Sequence, residues 1–340
     1  TTEIACSYEN YHVDKLKSLG YDLHLFEYSK KIDKNLLKSI SHFNQLVTKE
    51  QPSAVIMHQP MALLIGVLAL YRKNVTLIYS TGGLKTNENM NAVVHWINWQ
   101  IEKFLLKRCK LVINVNHEDN EKLQPILGSK SVYGGPRGGC GVNTNKFKFY
   151  EDYRKNYRND IGIQPNQIVI GYVGRIEREK GIYELVQMVQ ELSKSHPDVA
   201  LVIIGDGSES KNLEKSLLEK KHENIKYIGR KEDINYWYSI IDLFVLNSKR
   251  EGMPTSLLEA MASECIVLSS PVRGAREVIK NGINGYLYND ISELKELILN
   301  ILSDYNLHMR IRKNALNTIK DSLSTNILLP KTIKFYEDAI

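Results

Sequence analysis

"QIVIGYVGRIEREKGIYELVQMVQ", residues 167–190, reads as a short apolar run, a loop carrying Gly174 and Arg175, and an amphipathic helix opened by Lys180-Gly181. A short apolar run that ends in glycine and feeds a helix is the repeating half of a parallel sheet with crossover helices. The cadence returns downstream, where "VALVIIG", "IKYIG", "DLFVLNS" and "CIVLSS" each run into a loop and then a helix, with "GYLY" at 285–288 as a further candidate strand. Upstream the same alternation predicts strands near 3–7, 22–26, 54–57, 75–79 and 111–115. Helices are expected near 11–19, 34–49, 61–72, 89–109 and 117–126. The fold class is therefore α/β, with two parallel-sheet domains. The Gly- and Pro-rich run "YGGPRGGCGVNTNKF", residues 133–147, interrupts the series and marks a junction. Expected domains are 1–145 and 146–322, followed by a terminal helix at 323–340. From about Glu293 the chain reads as helical, with interruptions at Asp304 to Asn306 and Leu329 to Lys331.

A length of 340 residues suits two domains, and 43% hydrophobic with 25% charged residues is ordinary for a folded globular chain. The longest apolar stretch, "MALLIGVLALY" at 61–71, falls short of the ~20 residues a membrane span needs. Cys6, Cys109, Cys140 and Cys265 are scattered without metal-type spacing, which with the lack of a signal-like N-terminal segment predicts a cytoplasmic setting. The net charge of +6 is uneven: residues 1–150 hold 19 Lys+Arg against 12 Asp+Glu, and the remainder 26 against 27. Such asymmetry suits an anionic partner or simply a lysine-rich solvated surface. A nucleic-acid role is not expected, since no binding module accompanies the basic excess.

Ligands of open parallel sheets bind at the carboxyl ends of strands, and in the second half those loops share a character. They carry Gly174-Arg175 with Lys180, then Gly205-Asp206-Gly207, then Gly229-Arg230, then "KREGMPTS" with Gly252, Met253, Pro254 and Thr255. Glycines admit a ligand close to backbone, helix starts offer free N–H groups, and Arg and Lys add positive charge, so the set is a candidate diphosphate cradle. Glu251 falls on the turn and Glu259 in the early helix. A carboxylate beside a phosphate site makes electrostatic sense when it accepts hydroxyl hydrogen bonds. For Glu259, Ser256-x-x-Glu259 is equally a capping box.

The motifs "GRIEREKG", "LVIIGDGSE", "IGRKEDI" and "REGMPTSLLEAMA", followed by "GAREVIKNGINGYL", resemble in order and spacing the donor-binding half of retaining glycosyltransferases of family 4. "VIMHQPMALLIG", "LIYSTGG" and "GCGVNTNKF" resemble the family's first half more loosely. The resemblance implies the GT-B fold of two Rossmann-like domains facing a cleft, with the last helices crossing back to the N-terminal domain. It also implies a nucleotide-sugar donor, UDP by analogy, and a glycan or polyprenyl-phosphate-linked acceptor in bacterial surface polysaccharide assembly. It places Glu251 near the transferred sugar and Glu259 on the ribose hydroxyls. Arg175 and Lys180 fall on the departing diphosphate, backbone at Gly252, Met253 and Pro254 on the donor, and Gly229 with Arg230 on the base. No DxD-like metal motif stands out, so no metal or other cofactor is expected. A non-catalytic nucleotide-binding partner of another transferase and a nucleotide-sugar epimerase are the alternatives.

Three positions depart from the family pattern or match it weakly. Many relatives carry a histidine where this chain has Gly82, beside Gly83; His58 matches an acceptor-side position; and the glycine-rich loop after the first strand is shortened between Ser7 and Asn10. The helix near 91–110 is expected to bury Val93, Val94, Ile97, Ile101, Phe104 and Leu105. Its opposite face would present Trp96, Trp99 and Leu106 among Lys103, Lys107 and Lys110, a pattern suited to an anionic membrane surface or to a helix packed on both sides. The implied location is peripheral, on the inner face of the membrane.

Overall fold

A computed structural model describes residues 3–7, 13–18, 20, 22–26, 32–84, 91–220, 223–303 and 309–340. The chain divides into two compact units, one of Thr1–Asn114, Asn120–Val132 and Phe335–Ile340, the other of Val115–Asp119 and Tyr133–Lys334.

The first unit follows the order β1 (Glu3–Ser7), α1 (Val13–Ser18), β2 (Asp22–Phe26), α2 (Leu36–Glu50), β3 (Ala54–His58), α3 (Pro60–Ala69), β4 (Thr76–Ser80), α4 (Ala92–Lys107), β5 (Leu111–Asn114), α5 (His117–Leu127) and β6 (Ser131–Tyr133). Among the described residues β3-β4-β5-β6 form one sheet and β1 pairs with β2 in parallel. The apolar run after His58 becomes α3, with Pro60 in its first turn, where a missing N–H costs nothing. Leu63, Ile65, Val67 and Ala69 are buried, while Leu68 on another side is 41% exposed. One face of the sheet, Leu77, Tyr79 and Val112, packs with α2, α3 and the end of α4. On the other face Ile78, Leu111 and Ile113 lie under Phe335, Tyr336 and Ala339 from the end of the chain.

The second unit continues with α6 (Glu151–Asp160), β7 (Ile168–Val173), α7 (Ile182–Leu192), β8 (Val199–Ile204), α8 (Ser210–Lys220), β9 (Ile225–Gly229), α9 (Ile234–Trp237) and β10 (Leu243–Leu246). Then come α10 (Thr255–Ala262), β11 (Ile266–Ser269), α11 (Arg273–Val278), β12 (Tyr286–Leu287), α12 (Ile291–Ser303), α13 (Met309–Thr318) and α14 (Thr325–Ala339), of which the part from Phe335 on belongs to the first unit. The strand order is β12-β11-β10-β7-β8-β9, all parallel. Counted from β7 this is the 3-2-1-4-5-6 order of a Rossmann sheet, whose direction of winding reverses between β7 and β10. Side chains alternate between two buried faces: Ala200, Val202 and Ile204 enter one core, while Val199, Leu201 and Ile203 enter the other. A sheet covered on both sides needs apolar residues at every position, which is why these strands read as unbroken apolar runs.

Two expectations change. The interruption expected at Leu329 to Lys331 is absent: α14 runs through Pro330. Leu328 is buried and Thr332 Oγ1 donates to the Gly139 carbonyl at 3.2 Å, so packing holds the helix together despite the lost N–H. The break lies earlier, in a π-helical turn at Ile319–Leu323. The expected interruption at Asp304 to Asn306 and the loop at 8–10 fall outside the described residues.

Candidate active site

The winding reversal puts the loops after β7 and β10 side by side, and hydrogen bonds knit the neighbouring loops into the same edge. Gly174 N donates to the Ile204 carbonyl, Ile176 N to that of Asp206, and Gly205 N to that of Gly229, at 3.1, 2.9 and 3.0 Å. Gly205 has a φ of +142°, and a Cβ there would lie 1.9 Å from the Gly174 carbonyl oxygen; the two loops touch because both lack side chains. Gly181, with a φ of +63°, ends a short 3₁₀ turn at Arg178–Lys180 and opens α7. Its carbonyl accepts from Asn247 Nδ2 at 2.9 Å, which ties the β7 loop to the β10 loop. Lys249 N completes the seam by donating to the Glu179 carbonyl at 2.9 Å.

Across that seam Lys180 Nζ donates to Glu251 Oε1 at 2.6 Å, and Ser248 Oγ donates to the same oxygen at 2.9 Å. Lys180 is buried, a rare condition for lysine that its carboxylate partner makes tolerable. Arg175 does not join them: its exposed guanidinium meets Glu177 at 2.6 Å, while its carbonyl accepts from Tyr172 at 2.7 Å. Arg230 pairs with Glu232 at 3.6 Å. The Tyr172 phenol is held above its usual pKa by burial and then by the Glu251 charge.

Glu259 is not a capping residue. α10 starts at Thr255 after Pro254, which has no N–H to offer and no side-chain cap. The Glu259 carboxylate turns inward instead, accepting from Tyr238 Oη at 2.9 Å and pairing with Arg137 Nη2 at 3.3 Å. Burial pushes its pKa above the ordinary carboxylate range, with Arg137 and then Tyr238 opposing the shift. The Tyr238 phenol, fully buried beside that carboxylate, lies well above its own ordinary value.

Sequence patterns alone miss the groups that hold this edge. Asn116 Nδ2 donates to the Gly252 carbonyl at 3.0 Å and to Asp119 Oδ2 at 2.9 Å, and Arg273 reaches Asp119 Oδ1. Asn116 follows β5, whose apolar run points only to the first half. Arg137 reads as part of a junction, yet its φ of +57° in a loop of glycines aims it at Glu259. Among the acceptor-side candidates, His58 ends β3 opposite Ser80, and Gly82 and Gly83 follow β4 beside Thr81, whose buried hydroxyl has no partner among the described residues. A Cβ built at Gly82 meets nothing within 4 Å. Among the described residues no cluster of three or more His, Cys, Asp or Glu is arranged to hold a metal.

The face of α4 expected in the core is open instead. Val93, Val94, Ile97, Ile101 and Phe104, expected in the core, are exposed by 45–65%. Of that stripe Leu105 alone is buried. Leu106, expected outside, is fully buried, and Trp99 leans on the core; Trp96 is exposed, and Lys103 lies over the Trp99 ring at 5.8 Å. Lys107 is exposed at the last turn.

Residues 153–318 match the family model described as glycosyl transferases group 1. The capsular polysaccharide biosynthesis glycosyltransferase CapM of Staphylococcus aureus is 27% identical over 316 residues, 89% of this chain and 80% of that protein. The UDP-Gal:alpha-D-GlcNAc-diphosphoundecaprenol alpha-1,3-galactosyltransferase of Escherichia coli is 24% identical over 315 residues, with the same coverage. These likenesses support a GT-B glycosyltransferase. The crystal structure of Anabaena Alr3699/HepE in complex with UDP and glucose shares the fold, with a TM-score of 0.82 at 18% identity over 98% of this chain and 91% of that one. The β7 and β10 loops are where the sheet topology itself directs attention. Among the described residues no helix is long and apolar enough to cross a membrane.

Proposed function

We propose that this chain is a retaining, metal-independent glycosyltransferase that moves a sugar from a UDP-linked donor to a glycan or polyprenyl-phosphate-linked acceptor, in bacterial surface polysaccharide assembly. Residues 146–322 would bind the donor and 1–145 the acceptor, with 323–340 as a returning helix. The observation that carries the reading is the Lys180–Glu251 pair, 2.6 Å apart where the sheet reverses its winding. Without donor, a cation suited to phosphate and a carboxylate suited to hydroxyls satisfy each other. Donor entry exchanges those partners: Lys180 turns to the diphosphate, and Glu251 accepts from sugar hydroxyls. Arg175 leaves Glu177 for the same phosphates, and Glu259 exchanges Tyr238 and Arg137 for ribose hydroxyls. The charge that builds on the departing diphosphate then meets fixed cations, and stabilisation of that kind is usually the largest single source of rate enhancement. In the bond change, the acceptor oxygen forms a bond to the anomeric carbon on the face from which the phosphate oxygen leaves. The acceptor proton passes to that oxygen.

The names of similar proteins support the donor and acceptor classes, since they include a UDP-galactose donor and a diphosphoundecaprenol acceptor. A peripheral position on the inner membrane face fits such an acceptor. The test is turnover of a panel of UDP-sugars by the purified chain, with and without EDTA. Donor consumption that EDTA leaves unchanged is expected; a strict need for divalent metal overturns the metal-independent part. Failure of UDP or any nucleotide sugar to raise the melting temperature overturns donor binding altogether.

A further inference from the structure

The outward face of α4 is apolar where a helix packed on one side is ordinarily polar. Val93, Trp96, Ile97, Ile101 and Phe104 are each 45% exposed or more, while Leu105 at the edge of that stripe and Leu106 on the opposite side are buried, with Cys109 buried just beyond the last turn. At 100° per residue Ile97, Ile101, Phe104 and Arg108 fall within one narrow sector, so the apolar stripe ends in a guanidinium. Arg108 stacks on the exposed Tyr71 ring at 3.8 Å and reaches a cavity of about 440 Å³ at the amino edge of the sheet. Lys110 and Lys130 line that cavity with Ser53, Asn74 and Thr76, and among the described residues no acidic side chain does. Over residues 91–110 four cations stand against the single acid Glu102.

We propose that this face of α4 lies in the surface of an anionic phospholipid bilayer, with the Arg108–Lys110–Lys130 cavity taking a lipid phosphate. The inference deepens the membrane position in the proposed function and names its contact face, which takes in the apolar stripe that the sequence assigned to the core. A helix of 16 residues spans about 24 Å, too short to cross the ~30 Å hydrocarbon core. It therefore lies in the interface plane, with Ile97, Ile101 and Phe104 among the acyl chains and Lys103 and Lys107 at the headgroups. Charge chooses the occupant. A second copy carries the same four cations and the single acid Glu102 and so offers little complementary charge, whereas an anionic bilayer complements them.

The test is co-sedimentation with vesicles of phosphatidylcholine alone and with vesicles containing about 40 mol % phosphatidylglycerol, alongside the thermal shift caused by UDP. The wild-type chain is expected to bind the anionic vesicles and to lose affinity as salt rises. An Ile97→Asp, Phe104→Asp variant should bind at least about tenfold more weakly. A Lys110→Ala, Lys130→Ala variant should lose its preference for the anionic lipid. These are surface positions, so the UDP shift should survive in both variants and report an intact fold. Undiminished binding by the aspartate variant, or no binding by wild type, overturns the proposal. A wild-type dimer that the aspartate variant abolishes, without vesicle binding, makes the face a self-association surface and also overturns it. Vesicle binding without any UDP shift in the wild-type chain sinks the donor reading and leaves this one standing.

Discussion

Lys180 and Glu251 stand 71 positions apart in the chain, one suited to phosphate and one to sugar, and their contact is what the sequence did not show. Either loss should be costly for a different reason: Lys180→Ala removes a cation from the leaving group, and Glu251→Gln weakens the grip on the sugar. Each should lower kcat/KM by about 10²–10³, the usual cost of one preorganised electrostatic group. Steady-state kinetics with a UDP-sugar checks this, and a change under about threefold in both would make the pair structural. Glu259 offers a pH prediction. Because burial raises its folded pKa above the ordinary 4.5, its contribution to stability is complete below that pH and is lost as pH rises through the folded value. Glu259→Gln removes that titration, so its melting temperature relative to wild type should climb as pH rises above 4.5 through the folded value. A gap that stays flat in differential scanning fluorimetry would show that the carboxylate is not strained. At Gly82 the open space around a built Cβ means Gly82→His should fold normally, with a melting temperature within about 2 °C of wild type.

At the scale of elements, regular strands were legible because a doubly covered sheet writes itself as apolar runs; β4, β5 and β7 to β11 lie where those runs are. α4 was legible as a helix, but its facing was not. A wheel shows two faces and the rule that apolar residues go inside favours the richer one, whereas the sheet buries Leu105, Leu106 and Cys109. Polar clamps were also hidden. Asp242, just before β10, accepts from Arg154 and Arg158 of α6 and from Val169 N, joining elements more than 70 residues apart in the chain. Removing one partner of such a buried cluster leaves uncompensated charge. Asp242→Ala should therefore cost about 3–5 kcal/mol in a denaturant titration. A loss below about 1 kcal/mol would mean that water replaces the carboxylate.

At the scale of the whole molecule, each unit has its own apolar core, so calorimetry should show two transitions. UDP at about a hundredfold over its Kd should stabilise the second unit by about 2.7 kcal/mol and leave the transition of the first unmoved. A ligand shift confined to the first unit would place the donor elsewhere. The amino-acid sequence by itself determined the α/β class, the succession of strands and the loops that carry the candidate site, because these depend on local periodicity and on glycine, proline and charge at strand ends. Tertiary structure alone decided that Lys180 meets Glu251, that Glu259 faces Arg137 and Tyr238 instead of capping its helix, and which side of α4 is open. Those are contacts between residues far apart in the chain, set by strand order and packing. No local pattern encodes them, since each partner on its own satisfies the same hydropathy and turn rules either way.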